Sequence, residues 1–201
     1  MDETIFTRAF GNKSKELKQS VFDNSALVNS KDDSGRTALH WACSGGHFEI
    51  VQFLLDQKSE INATDDVGWS PLMIASSAGH LDVVRLLLGC GAEVNHRNHN
   101  GQAPLHYTAS KNHVEITKIL LDNGADANVR DKYGSTPLHR AASKGNAKVL
   151  RLLLAVRNID LNAADAEGNT PLHLACEEER MDEAILLARS GAFLDKLNKT
   201  S

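Results

Sequence analysis

The chain has 201 residues, enough for one or two globular domains, with a formal net charge of -4. That mild acidity excludes a global basic field for nucleic acid, and no apolar run reaches the length of a membrane span. The three cysteines, Cys43, Cys90 and Cys176, are odd in number and far apart. They fit reduced packing thiols better than a disulfide framework, and the acidic opening Met1-Asp2-Glu3-Thr4 is not read as a secretory signal. The expectation is a soluble chain of the cytoplasm or nucleus.

Residues 1–31 carry two helical patterns, over about 4–10 and 13–22. Ile5, Phe6 and Phe10, then Leu17, Val21 and Phe22, are placed to cover the first full repeat. From residue 32 onward one motif is written five times. It reads Gly35-Arg36-Thr37-Ala38-Leu39-His40, Gly68-Trp69-Ser70-Pro71-Leu72-Met73, Gly101-Gln102-Ala103-Pro104-Leu105-His106, Gly134-Ser135-Thr136-Pro137-Leu138-His139 and Gly168-Asn169-Thr170-Pro171-Leu172-His173. The leading glycines are separated by 33, 33, 33 and 34 residues. A T-P-L-H core at this period marks an ankyrin-type stack, in which each unit buries its apolar face against the next.

The predicted organisation is therefore a single array over 1–201. It comprises a capping repeat at 1–31, repeats at 32–64, 65–97, 98–130, 131–164 and 165–197, and the start of a further repeat at 198–201. The fold class is all-α: a solenoid of stacked helix-turn-helix units with short hairpin or turn fingers.

The second copy shows why each unit folds. Asp65-Asp66-Val67-Gly68 has a short acid to start a turn and a glycine where positive φ is cheap. Ser70 caps a helix over 71–77, and Pro71 takes its first position. Ala78-Gly79-His80 breaks that helix. A second helix spans 81–88, with Leu81, Val84, Leu87 and Leu88 on one face. The other second helices fall at 48–55, 114–121, 147–154 and 181–188.

The copies are not equal. Ala103 lacks the capping hydroxyl, at a cost of about 1 kcal/mol. Asn112 and Glu179 stand at the helix break where glycine usually sits. The fourth copy carries one extra residue within Val156-Arg157-Asn158-Ile159-Asp160. At the far end Leu172, Leu186 and Leu187 are expected to lack a covering neighbour.

In this plan the turn tips and the exposed side of each first helix line a concave face. Trp41, Ile74, Tyr107 and Arg140 come directly after the repeat core and point into it. Arg36, Trp69 and Tyr133 lie at the turn tips, and Lys111 and Lys144 at the helix ends. Aromatic and arginine side chains are the usual anchors of protein interfaces. Arg36, Lys111, Arg140 and Lys144 on one surface of an acidic protein point to an acidic partner.

The constellations that resemble chemistry have plainer readings. His40, His106, His139 and His173 belong to the repeat core, and His47 and His80 to the helix break. All six are read as structural. Cys90, His96 and His99 have no second pair to complete a four-ligand zinc set. No phosphate loop, nucleophile elbow or paired-carboxylate motif stands out. No catalytic residue, metal site or cofactor is assigned. Leu174-Ala175-Cys176-Glu177-Glu178 forms an L-x-C-x-E string, but within a repeat helix where Ala175 and Cys176 should pack inward.

Several segments carry a more specific resemblance. These are 36–44 (R-T-A-L-H-W-A-C-S), 68–72 (G-W-S-P-L), Leu105-His106-Tyr107 with Ala109-Ser110-Lys111-Asn112, and 167–180 (E-G-N-T-P-L-H-L-A-C-E-E-E-R). With them the chain resembles the gankyrin family. The resemblance implies a non-enzymatic assembly chaperone of the proteasome regulatory particle. Such a chaperone holds the C-terminal domain of a proteasomal ATPase subunit on the concave face, largely through opposite charges. Arg36 and Lys111 match family positions implicated in that contact. It further implies binding of the retinoblastoma protein through Leu174, Cys176 and Glu178, of a cyclin-dependent kinase, and of a p53 ubiquitin ligase. The alternative reading is a cell-cycle regulator that binds the kinase or the retinoblastoma protein. Neither reading involves nucleic acid, membrane or cofactor, and the chain alone is expected to be a monomer. The family continues with a further T-P-L segment, and Met73 replaces its histidine.

Overall fold

The structure is a computed structural model and describes residues 4–199. The described residues form twelve α-helices and no strand, and the chain divides into two compact units, with the boundary in sequence between His99 and Asn100.

The first unit opens with α1 (Ile5–Phe10), α2 (Ser14–Asp23) and a 3-10 turn at Ser25–Asn29. Two helix pairs come next: α3 (Ala38–Gly45) with α4 (Phe48–Asp56), and α5 (Pro71–Ala78) with α6 (Leu81–Gly89). Helix α1 packs on α3 and α3 on α5, while α2 packs on α4 and α4 on α6. The short first helices thus form one layer and the longer second helices another. Such short helices are not stable alone in water, so stacking holds them. Leu39, Leu54, Leu72 and Leu87 are at most 1% exposed, each worth about 2 kcal/mol of burial.

The second unit repeats the scheme. It contains α7 (Pro104–Lys111) with α8 (Val114–Asp122), α9 (Pro137–Ser143) with α10 (Ala147–Leu154), and α11 (Pro171–Glu177) with α12 (Met181–Arg189). Here α7, α9 and α11 stack in sequence, as do α8, α10 and α12. Leu105, Leu120, Leu138, Leu150 and Leu187 fill the space between layers.

The predicted punctuation is present. Ser70 accepts from the Met73 N–H, and Gly79 ends α5 at φ +85°. Asn112 and Glu179 adopt positive φ (59° and 55°) at the helix break, and Asn158 does so (64°) in the irregular fourth copy. At the terminal face the expectation holds only in part, because Leu187 is fully buried while Leu172 and Leu186 are half-buried.

The fingers are turns rather than hairpins. Successive fingers touch through single backbone bonds: Asp66 N–H to the Ser34 carbonyl (3.0 Å), Lys132 to Asn100 (2.9 Å), Ala166 to Tyr133 (2.8 Å) and Lys199 to Glu167 (3.0 Å). One bond per finger does not build a ladder, which is why no strand results.

Candidate protein-binding surface

Four of the five fingers are built around one aspartate, and the third has Asn98 at that position. Asp32 Oδ1 accepts the N–H groups of Ser34 and Arg36, both at 2.9 Å. Asp65 does the same for Val67 and Trp69, and Asp131 for Tyr133 and Ser135. Asp165 does so for Glu167 and Asn169. This is the side-chain-to-backbone turn that aspartate favours.

The second carboxylate oxygen then captures a surface side chain. The Trp41 indole N–H donates to Asp32 Oδ2 at 2.8 Å. Arg140 Nη2 donates to Asp131 Oδ2 at 2.6 Å, and that carboxylate side chain is 0% exposed. Arg36 Nε reaches Asp65 Oδ2, in the next finger along, at 3.1 Å. Burial opposes the charge of Asp32, but the N–H of Arg36, the Trp41 indole and the N–H of Ser34 prevail and hold its carboxyl below the ordinary value.

The histidines of the repeat core tie neighbouring repeats together. His40 Nδ1 accepts the Thr37 N–H at 3.1 Å, so Nε2 carries the ring proton and donates to the Trp69 carbonyl at 3.1 Å. His106 joins Ala103 N–H to the Ser135 carbonyl, and His139 joins Thr136 N–H to the Asn169 carbonyl. Burial pushes all three below the ordinary histidine value, against the opposing pull of their carbonyl partners. His47 and His80 serve the same purpose at the helix break, donating to the Phe10 and Ser44 carbonyls at 2.6 and 3.0 Å. Asn146 takes this role in the second unit, donating to Ala109 and Ser110 at 2.7 and 3.0 Å.

The sequence-predicted surface residues separate into three groups. Lys111, Tyr133 and Lys144 are exposed, Tyr133 at 66%. Arg36, Trp41, Trp69, Tyr107 and Arg140 are half-buried, and their polar groups serve the fold in part; the Tyr107 hydroxyl donates to Gln102 at 2.5 Å. Ile74 was expected in the groove and is buried at 7%, because α5 is enclosed along nearly its whole length. Ser77 near the end of α5 and Ser135 at a turn tip are both 8% exposed.

In the first unit Arg36 lies 5.2 Å from the centroid of the Trp41 ring, so these two form one cation–π group. In the second unit Tyr133, Arg140 and Lys144 belong to the finger and first helix of one repeat, and Lys111 ends the first helix of the repeat before it. Both units thus present aromatic and cationic side chains on rigid turns and first helices.

The L-x-C-x-E string lies in and just after α11. Ala175 is fully buried as expected, but Cys176 is exposed, and Leu174 is half-buried. The string is helical and is not presented as an extended segment. Among the described residues no group of three or more histidine, cysteine or acidic side chains could hold a metal, and no helix is long and apolar enough to cross a membrane.

Sequence reasoning missed the full role of the finger aspartates. A signal exists: Asp32 and Trp41, and Asp131 and Arg140, are each nine residues apart at equivalent repeat positions.

The architecture defines a scaffold for protein–protein contacts, and the chain belongs to the ankyrin-repeat family. The family pattern "Ankyrin repeats (3 copies)" fits residues 6–98 and 90–165, and "Ankyrin repeat" fits 167–199. Among individual proteins it is similar to 26S proteasome non-ATPase regulatory subunit 10, the protein of the gankyrin family. The human protein is 52% identical over 44 residues, which is 22% of this chain and 20% of that protein. The mouse protein is 50% identical over 48 residues, 24% of this chain and 21% of its own length. Human acyl-CoA-binding domain-containing protein 6 is 38% identical over 50 residues, 25% of this chain and 18% of that protein. These matches span about a fifth of the length of each relative.

Proposed function

We propose that this chain is a non-enzymatic chaperone of proteasome regulatory-particle assembly, acting in cytoplasm and nucleus. On this reading its turns and first helices hold the C-terminal domain of a proteasomal ATPase subunit. The observation that carries the reading is a set of cationic and aromatic side chains on a rigid repeat scaffold. The relation to a proteasome regulatory subunit supports the choice of partner. Opposite charges across such a contact steer encounter and fix register.

The ion pairs guide the choice of test residues. Arg36→Glu and Arg140→Glu would each set a carboxylate against a buried aspartate and report instability as well as binding. Lys111→Glu and Lys144→Glu change exposed positions. The experiment is affinity capture from lysate with the wild type and the Lys111→Glu/Lys144→Glu double variant, with melting curves for both. Wild type should enrich one proteasomal ATPase subunit, and the double variant should lose it while still unfolding in one cooperative transition. Equal capture by both proteins would contradict the reading. So would selective enrichment of a cyclin-dependent kinase or the retinoblastoma protein, which would favour the cell-cycle alternative.

A further inference from the structure

Beside the first finger, α1 and the turn before Gly35 enclose a cavity of about 530 Å³. Phe6, Phe10 and Trp41 supply aromatic walls, and Lys31, Asp32 and Asp33 form the rim. The apolar core does not account for this arrangement. Phe10 is 52% exposed, yet it stands edge-on to Trp41 with ring centroids 5.8 Å apart and planes at 81°.

The Trp41 wall and the end of α1 are braced before any ligand arrives. The Trp41 indole is held by Asp32 at 2.8 Å. Asp32 is held by two backbone N–H groups of its own turn. The end of α1 is held by His47 Nε2, which donates to the Phe10 carbonyl at 2.6 Å. Preorganised walls of this kind lower the ordering cost of binding.

Charge decides what the cavity suits. Lys31 sends its ammonium to the Thr64 carbonyl, 3.0 Å away in the next repeat. Asp32 keeps its carboxylate ionised through its bonds to the turn and the indole, and Asp33 is exposed. An anion would meet two carboxylates, and a neutral apolar group would desolvate them without compensation. A cation gains from both the carboxylates and the negative faces of the rings. Trp41 already accepts one cation, since Arg36 lies over its ring and does not line the cavity.

We propose that this cavity binds the cationic side chain of a lysine presented by a partner peptide, and binds the N-methylated lysine more tightly. Methyl groups spread the charge and reduce its hydration, so an aromatic wall competes better with water for it. The site goes beyond the proposed chaperone reading: Phe6, Phe10 and Asp33 play no part in the cationic surface, and only Trp41 is shared.

The test is a titration of the full chain, monitored through the Trp41 indole N–H resonance. The probes are N-acetyl-lysine methylamide, its trimethyl form, N-acetyl-norleucine methylamide and choline. The expected order is trimethyl-lysine, then lysine about three- to tenfold weaker, with no shift from norleucine. Asp33→Asn and Phe10→Leu should each weaken trimethyl-lysine binding several-fold at unchanged melting temperature, and Phe10→Tyr should retain it. Norleucine binding as tightly as trimethyl-lysine would overturn the proposal, because the cavity would then be merely apolar. Choline binding more tightly than either lysine form would overturn the assignment to a peptide side chain. Binding seen only after removal of residues 1–3 would make the chain's own terminus the occupant and overturn it as well. Insensitivity to both variants, or no shift with any probe, would equally end the proposal. None of these outcomes depends on capture of an ATPase subunit.

Discussion

Lowering the pH from 6.5 to 5.5 should destabilise the protein through His40, His106 and His139. In each, Nδ1 accepts a backbone N–H while Nε2 donates to a carbonyl of the next repeat. Burial disfavours the charged ring, and protonation would also place a hydrogen on Nδ1, facing the N–H it now accepts, inside the stack. The folded value is therefore depressed, whereas the unfolded chain titrates near 6.5. Well above 6.5 both states are neutral and stability does not respond to these groups. Below 6.5 the unfolded chain takes up protons that the folded chain refuses, so stability falls as pH falls. Between pH 6.5 and 5.5 each histidine costs at most about 1 kcal/mol, the limit reached when the folded ring takes up no proton, and the three together at most about 3 kcal/mol. Urea unfolding monitored by circular dichroism at pH 7.5, 6.5 and 5.5 measures this. His139→Gln should reduce the loss by about one third. Stability that stays constant down to pH 5.5, or a loss that His139→Gln leaves untouched, would show that these rings do not resist protonation in the fold.

Single contacts set the other expected outcomes. Ala103→Thr should stabilise by about 1 kcal/mol in thermal melts, because Thr37, Thr136 and Thr170 at equivalent positions set a hydroxyl beside the histidine Nδ1 and Ala103 cannot. Arg140→Met should cost about 2 kcal/mol in urea unfolding, since it strips the Asp131 carboxylate of its charged partner and leaves two N–H donors. A thiol reagent should label Cys90 and Cys176 in the folded protein and spare Cys43. The first two are exposed, whereas full burial of Cys43 raises its thiol far above the ordinary value.

The repeat plan was legible because its marks are local. Glycine at the turn, Ser-Pro or Thr-Pro at the helix start and a 3.6-residue apolar period each act within a few residues, and the helices end within one or two residues of the expected places. The core histidines were also legible, since they recur with the motif. The surface was harder to read. Ile74 sits at a position whose equivalents hold Trp41, Tyr107 and Arg140, yet it is buried, and burial depends on what neighbouring repeats bring over it. The finger aspartates are turn formers, as their place in the motif suggests. Their capture of Trp41, Arg36 and Arg140 depends on side-chain reach across nine or more residues, which no local propensity encodes. Cys176 was expected inside and is exposed, for it lies on the last first helix, α11, where only Pro171 and Ala175 are buried.

On the proposed function, exposed cations on this scaffold hold an acidic face of a proteasomal ATPase subunit. Calorimetric titration with the isolated C-terminal domain of that subunit, at low and physiological salt, tests it most directly. The expected result is saturable binding that weakens with salt and falls by about tenfold or more in Lys111→Glu/Lys144→Glu. Binding that ignores both salt and the double substitution, or no binding by the wild type, would contradict it.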